Sequence, residues 1–297
     1  MLNPAFATPL RHRHQIALVL GSGGVRAIAA LGMADVLRRE GIAPDLIVGC
    51  SAGAIFAAVI AEERPVADAI RASTSLWTAE LTRQRRWQAV PQMLWPKLCR
   101  FNPDFSLRYS RLIEKRLFEG FGDARLEDLP IPLRISATEA ETGLPVVLDK
   151  GRVVDAIRAS VAMPFMFAPK MLDGRRLIDG YVSDPLPVVA ASDARYVIAL
   201  GFNAPMPKLV NGPSRLLAQL NSSLNNNLMH ARLNAAEAGG MRLLRVFPEL
   251  DRRVSLFDTE AMPYLVDAGR RATEEALPKI WALLERQAAH QPEALAA

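Results

Sequence analysis

The chain has 297 residues, of which 50% are hydrophobic and 23% are charged, and its formal net charge is +5. This composition excludes disordered and fibrous proteins and indicates a globular protein with one large core. The chain has two cysteines, Cys50 and Cys99, which excludes a disulfide framework and a four-cysteine metal site and favours a reducing compartment.

Alternating strands and helices open the chain. Residues 16–20 are an apolar run that stops at Gly21, which predicts a buried strand. Residues 27–40 have helical periodicity, 46–48 form a second short strand, and 52–62 form a helix of small residues. This order predicts a three-layer α/β/α sandwich around a mainly parallel central sheet.

The segment over 63–125 is helical in pattern but interrupted by prolines, which is typical of an insertion or a lid. Strands are predicted after it in this order: 133–137, 144–148, a hairpin over 170–178 that turns at Asp173-Gly174, and 196–200. Two further helices, over 214–239 and 260–289, flank a last strand at 243–247.

We expect a single catalytic domain over 15–290, with its core at 15–200 and a helix-strand-helix unit at 201–290. A flexible leader (1–14) precedes it and a disordered tail (291–297) follows it.

The apolar run at 16–20 is too short for a signal peptide, and no apolar run reaches the ~18 residues of a membrane-spanning helix. The positive charge is scattered and forms no basic stripe with interleaved aromatic residues, so we expect no nucleic-acid partner. A cytoplasmic protein is expected, and peripheral contact with a membrane stays open. The oligomeric state is not predicted.

A G-x-S-x-G sequence lies between the second predicted strand and its helix. Gly49 and Gly53 let strand and helix approach closely, and Ser51 at the tight turn projects above the sheet. The amino terminus of the following helix favours developing negative charge. The pattern predicts Ser51 as the nucleophile of an acyl transfer, and a glycine-flanked helix cap is the structural alternative.

The loop between the first strand and the first helix is built from Ser22, Gly23, Gly24, Val25 and Arg26. Backbone N–H groups in such a loop can converge on an anion. A dinucleotide site needs glycine at position 26, and a phosphate-binding Walker loop needs a Lys-Ser/Thr ending, so no nucleotide cofactor is expected. An oxyanion hole is favoured over a purely structural turn.

The serine also needs a base. Of the four histidines, two lie in the leader and one near the tail, which leaves His230 as the histidine candidate. Asp179 ends an apolar run and precedes Gly180, and a carboxylate in that place can accept the serine proton directly. Asp173 is assigned to the hairpin turn. The residues alone leave open whether Asp179 is the base or has a structural role.

Three ordered blocks resemble the signature blocks of patatin-like phospholipases: residues 22–26, Gly49-Cys-Ser-Ala-Gly53 and Arg176-Leu-Ile-Asp179-Gly180. The segments 159–169 and 185–187 resemble the family's sequence around the aspartate. The resemblance implies a phospholipase, lysophospholipase or esterase that uses a Ser-Asp dyad, with Ser51 as nucleophile and Asp179 as base.

By the same resemblance, N–H groups around Gly23 and Gly24 hold the oxyanion, with Arg26 beside them. The substrate partner is a lipid or acyl ester, and no metal or other cofactor is expected. An acyltransferase with the same dyad, and a lipid-binding or regulatory relative without turnover, remain alternatives.

Three residues depart from the family pattern. Ala27 and Phe165 stand where glycine is usual, and Tyr181 stands where a small residue often follows Asp-Gly. We expect Ala27 to narrow the oxyanion loop and the two aromatic residues to fill or reshape the acyl pocket.

The segment 83–100 mixes cations with tryptophans. We expect these tryptophans to pack a helical lid on the core, and contact with a membrane or lipid surface, which such a mixture also suits, is the alternative.

Overall fold

The computed structural model of the chain describes residues 12–76, 78, 80, 86–89, 91–92, 95, 97–255 and 258–285. Most of the expected leader, the whole expected tail and part of 83–100 lie outside these residues. The strands are β1 His14–Leu20, β2 Leu46–Cys50, β3 Leu133–Glu139, β4 Pro145–Leu148, β5 Lys170–Leu172, β6 Arg175–Asp179, β7 Ala194–Leu200 and β8 Leu243–Val246. The helices are α1 Ala29–Arg39, α2 Ala52–Ala61, α3 Val66–Leu76, α4 Arg111–Phe121, α5 Val153–Ser160, α6 Pro213–Ala238 and α7 Met262–Glu285.

The described strands join in one sheet, ordered β5-β6-β3-β2-β1-β7-β8, with β4 paired to β3. β1 lies between β2 and β7 and is parallel to both, and the β2–β3 and β7–β8 pairs are also parallel. Antiparallel pairing is confined to β4, β5 and β6. The predicted mainly parallel sheet is confirmed.

The two faces of the sheet carry separate cores. Leu18 and Leu20 of β1 pack in one apolar cluster with α1, α2, α5 and α7. Ala17 and Val19, which point the other way, pack in a second cluster with α6. A strand buried on both faces reads as a continuous apolar run, as the sequence of β1 does. The three-layer α/β/α arrangement is therefore confirmed.

One predicted element differs in detail from the observed one, and a second agrees with it. The helix expected at 27–40 begins as a 3₁₀ turn at Gly24–Ile28, because the chain must turn sharply out of β1, and Gly24 has a φ of 59°. The β5–β6 hairpin turns where expected: Asp173 and Gly174 have φ angles of 49° and 74°, as a type I′ turn requires.

The last helix crosses the first at very short range. A Cβ atom on Gly32 of α1 would lie 2.9 Å from the Arg270 nitrogen, and one on Gly269 of α7 would lie 2.8 Å from the Ala29 carbonyl carbon. Glycine at both positions lets the two backbones touch, and this contact fixes the C-terminal helix on the core.

Two strands meet end to end beside β3. Ser136 pairs with Cys50 of β2 and also with β4, while the next residue, Ala137, pairs with Asp179 of β6 and again with β4. β4 therefore occupies one edge of β3, and β2 and β6 share the other. Because β2 runs parallel and β6 antiparallel to β3, their carboxyl ends meet, which brings Ser51 next to Asp179.

Candidate active site

The turn at Ser51 has the geometry of a nucleophile elbow. Ser51 has a φ of 55° and a ψ of −131°, a strained backbone for a residue with a side chain. A Cβ atom on Gly53 would lie 2.6 Å from the Leu20 carbonyl oxygen, and one on Gly49 would lie 2.5 Å from the Ala54 Cα. The Ser51 side chain makes no hydrogen bond to the amino terminus of α2. The serine is therefore held above the sheet without serving as a helix cap.

The Ser51 hydroxyl contacts a buried carboxyl group. Ser51 Oγ donates a hydrogen bond to Asp179 Oδ2 at 2.8 Å, and the Tyr181 backbone N–H donates to Asp179 Oδ1 at 2.9 Å. Asp179 is 1% exposed. Burial raises the pKa of Asp179 to about 7, although the hydrogen bonds from Tyr181 and Ser51 oppose this rise. A carboxylate with that pKa can take up and release a proton near neutral pH.

The backbone around Asp179 is fixed from both sides. The Thr138 hydroxyl donates to the Asp179 carbonyl oxygen at 2.9 Å. A Cβ atom on Gly180 would lie 2.5 Å from the Ser136 carbonyl oxygen and 2.9 Å from Cys50 Sγ. Glycine after the aspartate therefore allows the end of β6 to pack against the ends of β2 and β3.

Ser160 is a site residue to which sequence reasoning gave no role. Its hydroxyl accepts the Ser51 backbone N–H at 2.8 Å and donates to the Ser136 carbonyl oxygen at 2.6 Å. The hydroxyl thus ties the elbow to β3 and leaves the Ser51 N–H unavailable to an ester. The only signal in the sequence was its place in the family-like segment 159–169.

Arg26 holds the glycine loop in place. Its Nε donates to the Gly23 carbonyl oxygen at 3.2 Å, and its Nη1 donates to the Asn203 carbonyl oxygen at 3.0 Å. The guanidinium also lies 5.2 Å from the centre of the Phe202 ring. The side chain is 8% exposed, so this cation braces the loop from inside the protein.

Two N–H groups of the loop are free of partners within the described part of the chain. The Ser22 N–H donates to the Pro185 carbonyl oxygen, whereas those of Gly23 and Gly24 make no intramolecular hydrogen bond. Both glycines line the same cavity as Ser51. Val25 is 1% exposed and packs in the core, so it does not line that cavity.

The cavity that contains the Ser51 hydroxyl has a volume of about 410 Å³. Its polar lining consists of the glycine loop and the side chains of Ser22, Arg26, Ser51, Asp179, Tyr181, Asn221 and Ser222. Its apolar wall is formed by Ile113, Val161, Met163, Met166, Phe167, Phe202, Ala204, Pro205 and Ala218. A mostly apolar lining with a few polar groups, Ser51 and Asp179 among them, fits an acyl chain whose ester reaches the serine.

The three departures from the family pattern lie in different places. Tyr181 lines the cavity, and its hydroxyl accepts a hydrogen bond from Asn221 Nδ2 at 3.2 Å. Phe165 is 64% exposed and is not among the residues that line the cavity, and it holds the left-handed φ of 66° that glycine favours. Ala27 is buried in the 3₁₀ turn behind the loop. Only Tyr181 reshapes this cavity directly.

No histidine in the described part of the chain contacts Ser51. His230 Nε2 lies 2.9 Å from Asn203 Oδ1, and its ring stacks on Phe247. His14 is the first residue of β1, at the end of the sheet away from the elbow. His290 lies outside the described residues. The structure brings Ser51 to Asp179 and not to His230.

Two tryptophans of the 83–100 segment are described, and both are exposed. Trp87 is 68% exposed and Trp95 is 59% exposed, so these two do not pack a lid on the core. None of the helices in the described ranges is long and apolar enough to cross a membrane. Among the same residues, no cluster of three or more histidine, cysteine or acidic side chains could hold a metal ion.

The chain matches the family model of patatin-like phospholipases over residues 18–192. The match covers more than half of the chain and includes the elbow, the glycine loop and Asp179. The chain belongs to the patatin-like phospholipase family. The three blocks that carried the resemblance therefore reflect true membership.

Two relatives of this patatin-like protein are identical to it at about a third of the aligned positions. An NTE family protein of Mycobacterium tuberculosis is 33% identical over 191 residues, which cover 64% of this chain and 49% of the relative. Patatin-like phospholipase domain-containing protein 7 of Rattus norvegicus is 32% identical over 192 residues, covering 62% of this chain and 13% of the relative. The chain spans about half the length of the mycobacterial relatives that it matches.

The crystal structure of VipD from Legionella pneumophila has a similar fold. Its TM-score is 0.50 at 13% sequence identity, over 90% of this chain and 67% of that one. This likeness bears on the fold alone.

Proposed function

We propose that this patatin-like protein hydrolyses acyl esters of lipids, with Ser51 as nucleophile and Asp179 as its base. The observation that carries the proposal is the hydrogen bond from Ser51 Oγ to Asp179 Oδ2 in a cavity whose lining is mostly apolar. Membership of the phospholipase family supports a lipid substrate.

In the first step, Ser51 Oγ attacks the ester carbonyl carbon while Asp179 Oδ2 takes the hydroxyl proton. The tetrahedral intermediate then collapses, the bond to the leaving alcohol breaks, and Asp179 returns the proton to the alcohol oxygen. An acyl ester of Ser51 remains. The pKa of Asp179, about 7, suits both transfers near neutral pH.

In the second step, water attacks the acyl-serine carbonyl carbon and gives a proton to Asp179. The bond to Ser51 Oγ breaks, the serine takes the proton back, and the fatty acid leaves. An acyltransferase would use the same step with an alcohol in place of water, and product analysis with added glycerol separates the two.

The negative oxygen of each intermediate needs hydrogen-bond donors. The N–H groups of Gly23 and Gly24 supply them in this proposal, because they line the cavity and have no partner within the described chain. Each such donor is worth about 3–4 kcal/mol in acyl transfer. Arg26 acts as a positioning residue that holds the loop through the Gly23 carbonyl oxygen.

The test compares Ser51→Ala, Asp179→Asn and His230→Ala on short-chain nitrophenyl esters. We expect the first two to lower kcat/KM by about 10³-fold or more, as removal of a nucleophile or its base does. His230→Ala is the matched control, because it removes a hydrogen-bonding side chain near the loop without touching Ser51. Loss of activity in His230→Ala with retention in Asp179→Asn would replace the dyad with a Ser-His mechanism. A wild type without turnover of any ester would refute hydrolysis.

A further inference from the structure

The first half of α6 stands out from the body of the protein. Four of its leucines form an exposed surface, which we call the leucine face: Leu216 is 59% exposed, Leu217 66%, Leu220 54% and Leu224 61%. The apolar side of a helix in a globular protein normally faces the core. A cluster of exposed leucines of this kind marks an interaction surface.

The apolar surface continues into the segment before α6. Its exposed members are Met206, Leu209 and Val210. The Ser222 hydroxyl donates to the Pro205 carbonyl oxygen at 3.0 Å. The Asn226 side chain accepts the Ala204 N–H and donates to the Ala204 carbonyl oxygen. These bonds hold the segment against α6, so both parts belong to one surface.

The stretch of sequence that carries the leucine face has charge of one sign. Between Asp193 and Glu237 the sequence contains no acidic residue. Lys208 and Arg215, which flank the leucine face in sequence, are both exposed. The Arg253 guanidinium donates to a carbonyl oxygen of the apolar segment and adds a third cation. The surface therefore combines leucines with positive charge.

The opposite side of the same helix belongs to the active-site cavity. Ala218, Asn221 and Ser222 line that cavity, and Asn221 Nδ2 donates to the Tyr181 hydroxyl. One helix thus separates the cavity from the leucine face. A lipid surface against the leucine face would lie one helix diameter, about 10 Å, from the cavity wall.

We propose that the leucine face, together with Lys208 and Arg215, docks on a bilayer that contains anionic phospholipid. The leucines enter the boundary between the headgroups and the acyl chains of the bilayer. Lys208 and Arg215 pair with the negatively charged phosphates of the lipids. A second copy of this chain fits the surface less well, since a two-fold contact of the same patch brings like charges together. This docking rests on the proposed function, because it states that the enzyme meets its lipid substrate in a bilayer.

Binding is measured by co-sedimentation of the Ser51→Ala protein, which leaves the lipid intact. The vesicles are pure phosphatidylcholine or an equimolar mixture of phosphatidylcholine and phosphatidylglycerol. We expect binding to the anionic vesicles to be about tenfold tighter or more, since each basic residue near an anionic surface adds about 1 kcal/mol.

Two variants test the surface. Leu220→Gln/Leu224→Gln is expected to weaken binding about tenfold or more, because each buried leucine contributes about as much as a tenfold change. Its control, Phe118→Gln/Val189→Gln, removes two exposed apolar side chains elsewhere and should bind like the parent. Lys208→Glu/Arg215→Glu should lose the preference for anionic vesicles. Its control, Lys150→Glu/Lys279→Glu, changes the net charge equally at other exposed sites and should keep it.

Activity on a soluble short-chain ester, measured with Ser51 intact, should be unchanged in all four variants. Failure of hydrolysis therefore appears in the ester assay, and failure of docking appears in co-sedimentation. Equal binding by Leu220→Gln/Leu224→Gln and the parent would overturn the proposal. A stable dimer that only Leu220→Gln/Leu224→Gln converts to a monomer would also overturn it, because the leucine face would then bind a second copy of the chain. A loss of vesicle binding confined to Trp95→Gln would overturn it too, because the membrane contact would then lie in 83–100.

Discussion

Asp179 is a buried acid whose charged form the fold makes unfavourable. Its carboxyl group lies at the end of β6, beside the ends of β2 and β3, and within the described residues it accepts hydrogen bonds from the Tyr181 N–H and the Ser51 hydroxyl alone. Removal from water outweighs these two bonds, so its pKa rises to about 7. In the proposed mechanism the raised pKa favours the reaction. A carboxylate with a low pKa is a weaker base and would accept the serine proton less readily.

The pH dependence of hydrolysis follows from this pKa. The base must be ionised, so kcat/KM is expected to rise with pH and to level off above a single midpoint near 7. The profile is measured with a short-chain ester between about pH 3 and pH 9, a range that includes both the ordinary pKa of an aspartate, about 4, and the raised pKa of Asp179, about 7. A flat profile, or a midpoint near 4, would mean that Asp179 is not the titrating base.

Asp179 also affects the stability of the fold. In the unfolded chain its pKa is about 4, so between about pH 4 and pH 7 only the folded state keeps the proton. Its contribution to the free energy of unfolding therefore falls as pH rises through this window, by about 4 kcal/mol at most. Asp184, whose pKa burial raises to about 6, acts in the same direction.

We expect Asp179→Asn to remove the larger part of this dependence, since an amide oxygen can still accept the Tyr181 N–H. The Tm of Asp179→Asn should exceed that of the wild type at pH 8, and the difference should be smaller at pH 5. The measurement is thermal unfolding at both values. A variant that is less stable than the wild type at pH 8 would show that the carboxylate is stabilised in the fold.

Individual residues of the site were predictable only where a short pattern carried them. Ser51 was found from its flanking glycines, because glycine at 49 and 53 has one evident use beside a strand and a helix. Asp179 was open on pattern alone, and its selection came from the family resemblance. Ser160 escaped notice because a single buried hydroxyl has no sequence signature, although it bonds directly to the elbow.

At the scale of elements, the most informative feature is the junction of β2 and β6 beside β3. The strands themselves were predicted from their apolar runs and from the Asp-Gly turn. The pairing of the strands was not predicted, because the sequence of a short strand does not indicate which other strand will lie beside it in the sheet. The observed register, with Cys50 opposite Ser136 and Asp179 opposite Ala137, explains how residues far apart in sequence meet.

The crossing of α1 and α7 leads to a prediction of stability. Gly→Ala inside a helix normally stabilises it by about 1 kcal/mol. At Gly269 the added Cβ would lie 2.8 Å from the Ala29 carbonyl carbon, so the two backbones must separate. We expect Gly269→Ala to lower the free energy of unfolding by about 1–3 kcal/mol, as overpacking does.

Urea unfolding measures this change. Gly212→Ala is the control, because a Cβ there meets no atom within 4 Å, and it should shift stability by about 1 kcal/mol or less. If Gly269→Ala is as stable as the wild type, close contact of the two helices does not fix the C-terminal helix.

At the scale of the whole molecule, the sequence order of strands and helices was sufficient to predict the architecture. Two separate cores, one on each face of the sheet, follow from a central strand that is apolar at every position from Ile16 to Leu20. The surface was less predictable. Exposure of the leucines in α6 depends on which of its faces meets the body of the protein, and the helical pattern at 214–239 does not specify that.

The position of the leucine face relative to the cavity connects the active site to a lipid substrate. The cavity, the proposed dyad and the leucine face all involve α6 or the strand ends beside it. The net charge of +5 gives the molecule a weak general attraction to anionic surfaces, and Lys208 and Arg215 concentrate it near the apolar residues.

In the proposed mechanism Ser51 is an activated nucleophile. Treatment with an alkyl fluorophosphonate, followed by intact mass and peptide mass spectrometry, tests it most directly. We expect one adduct per chain on the peptide that contains Ser51, loss of the adduct in Ser51→Ala, and much slower labelling in Asp179→Asn. An unlabelled wild type, or an adduct on any other serine, would show that Ser51 is not the activated nucleophile.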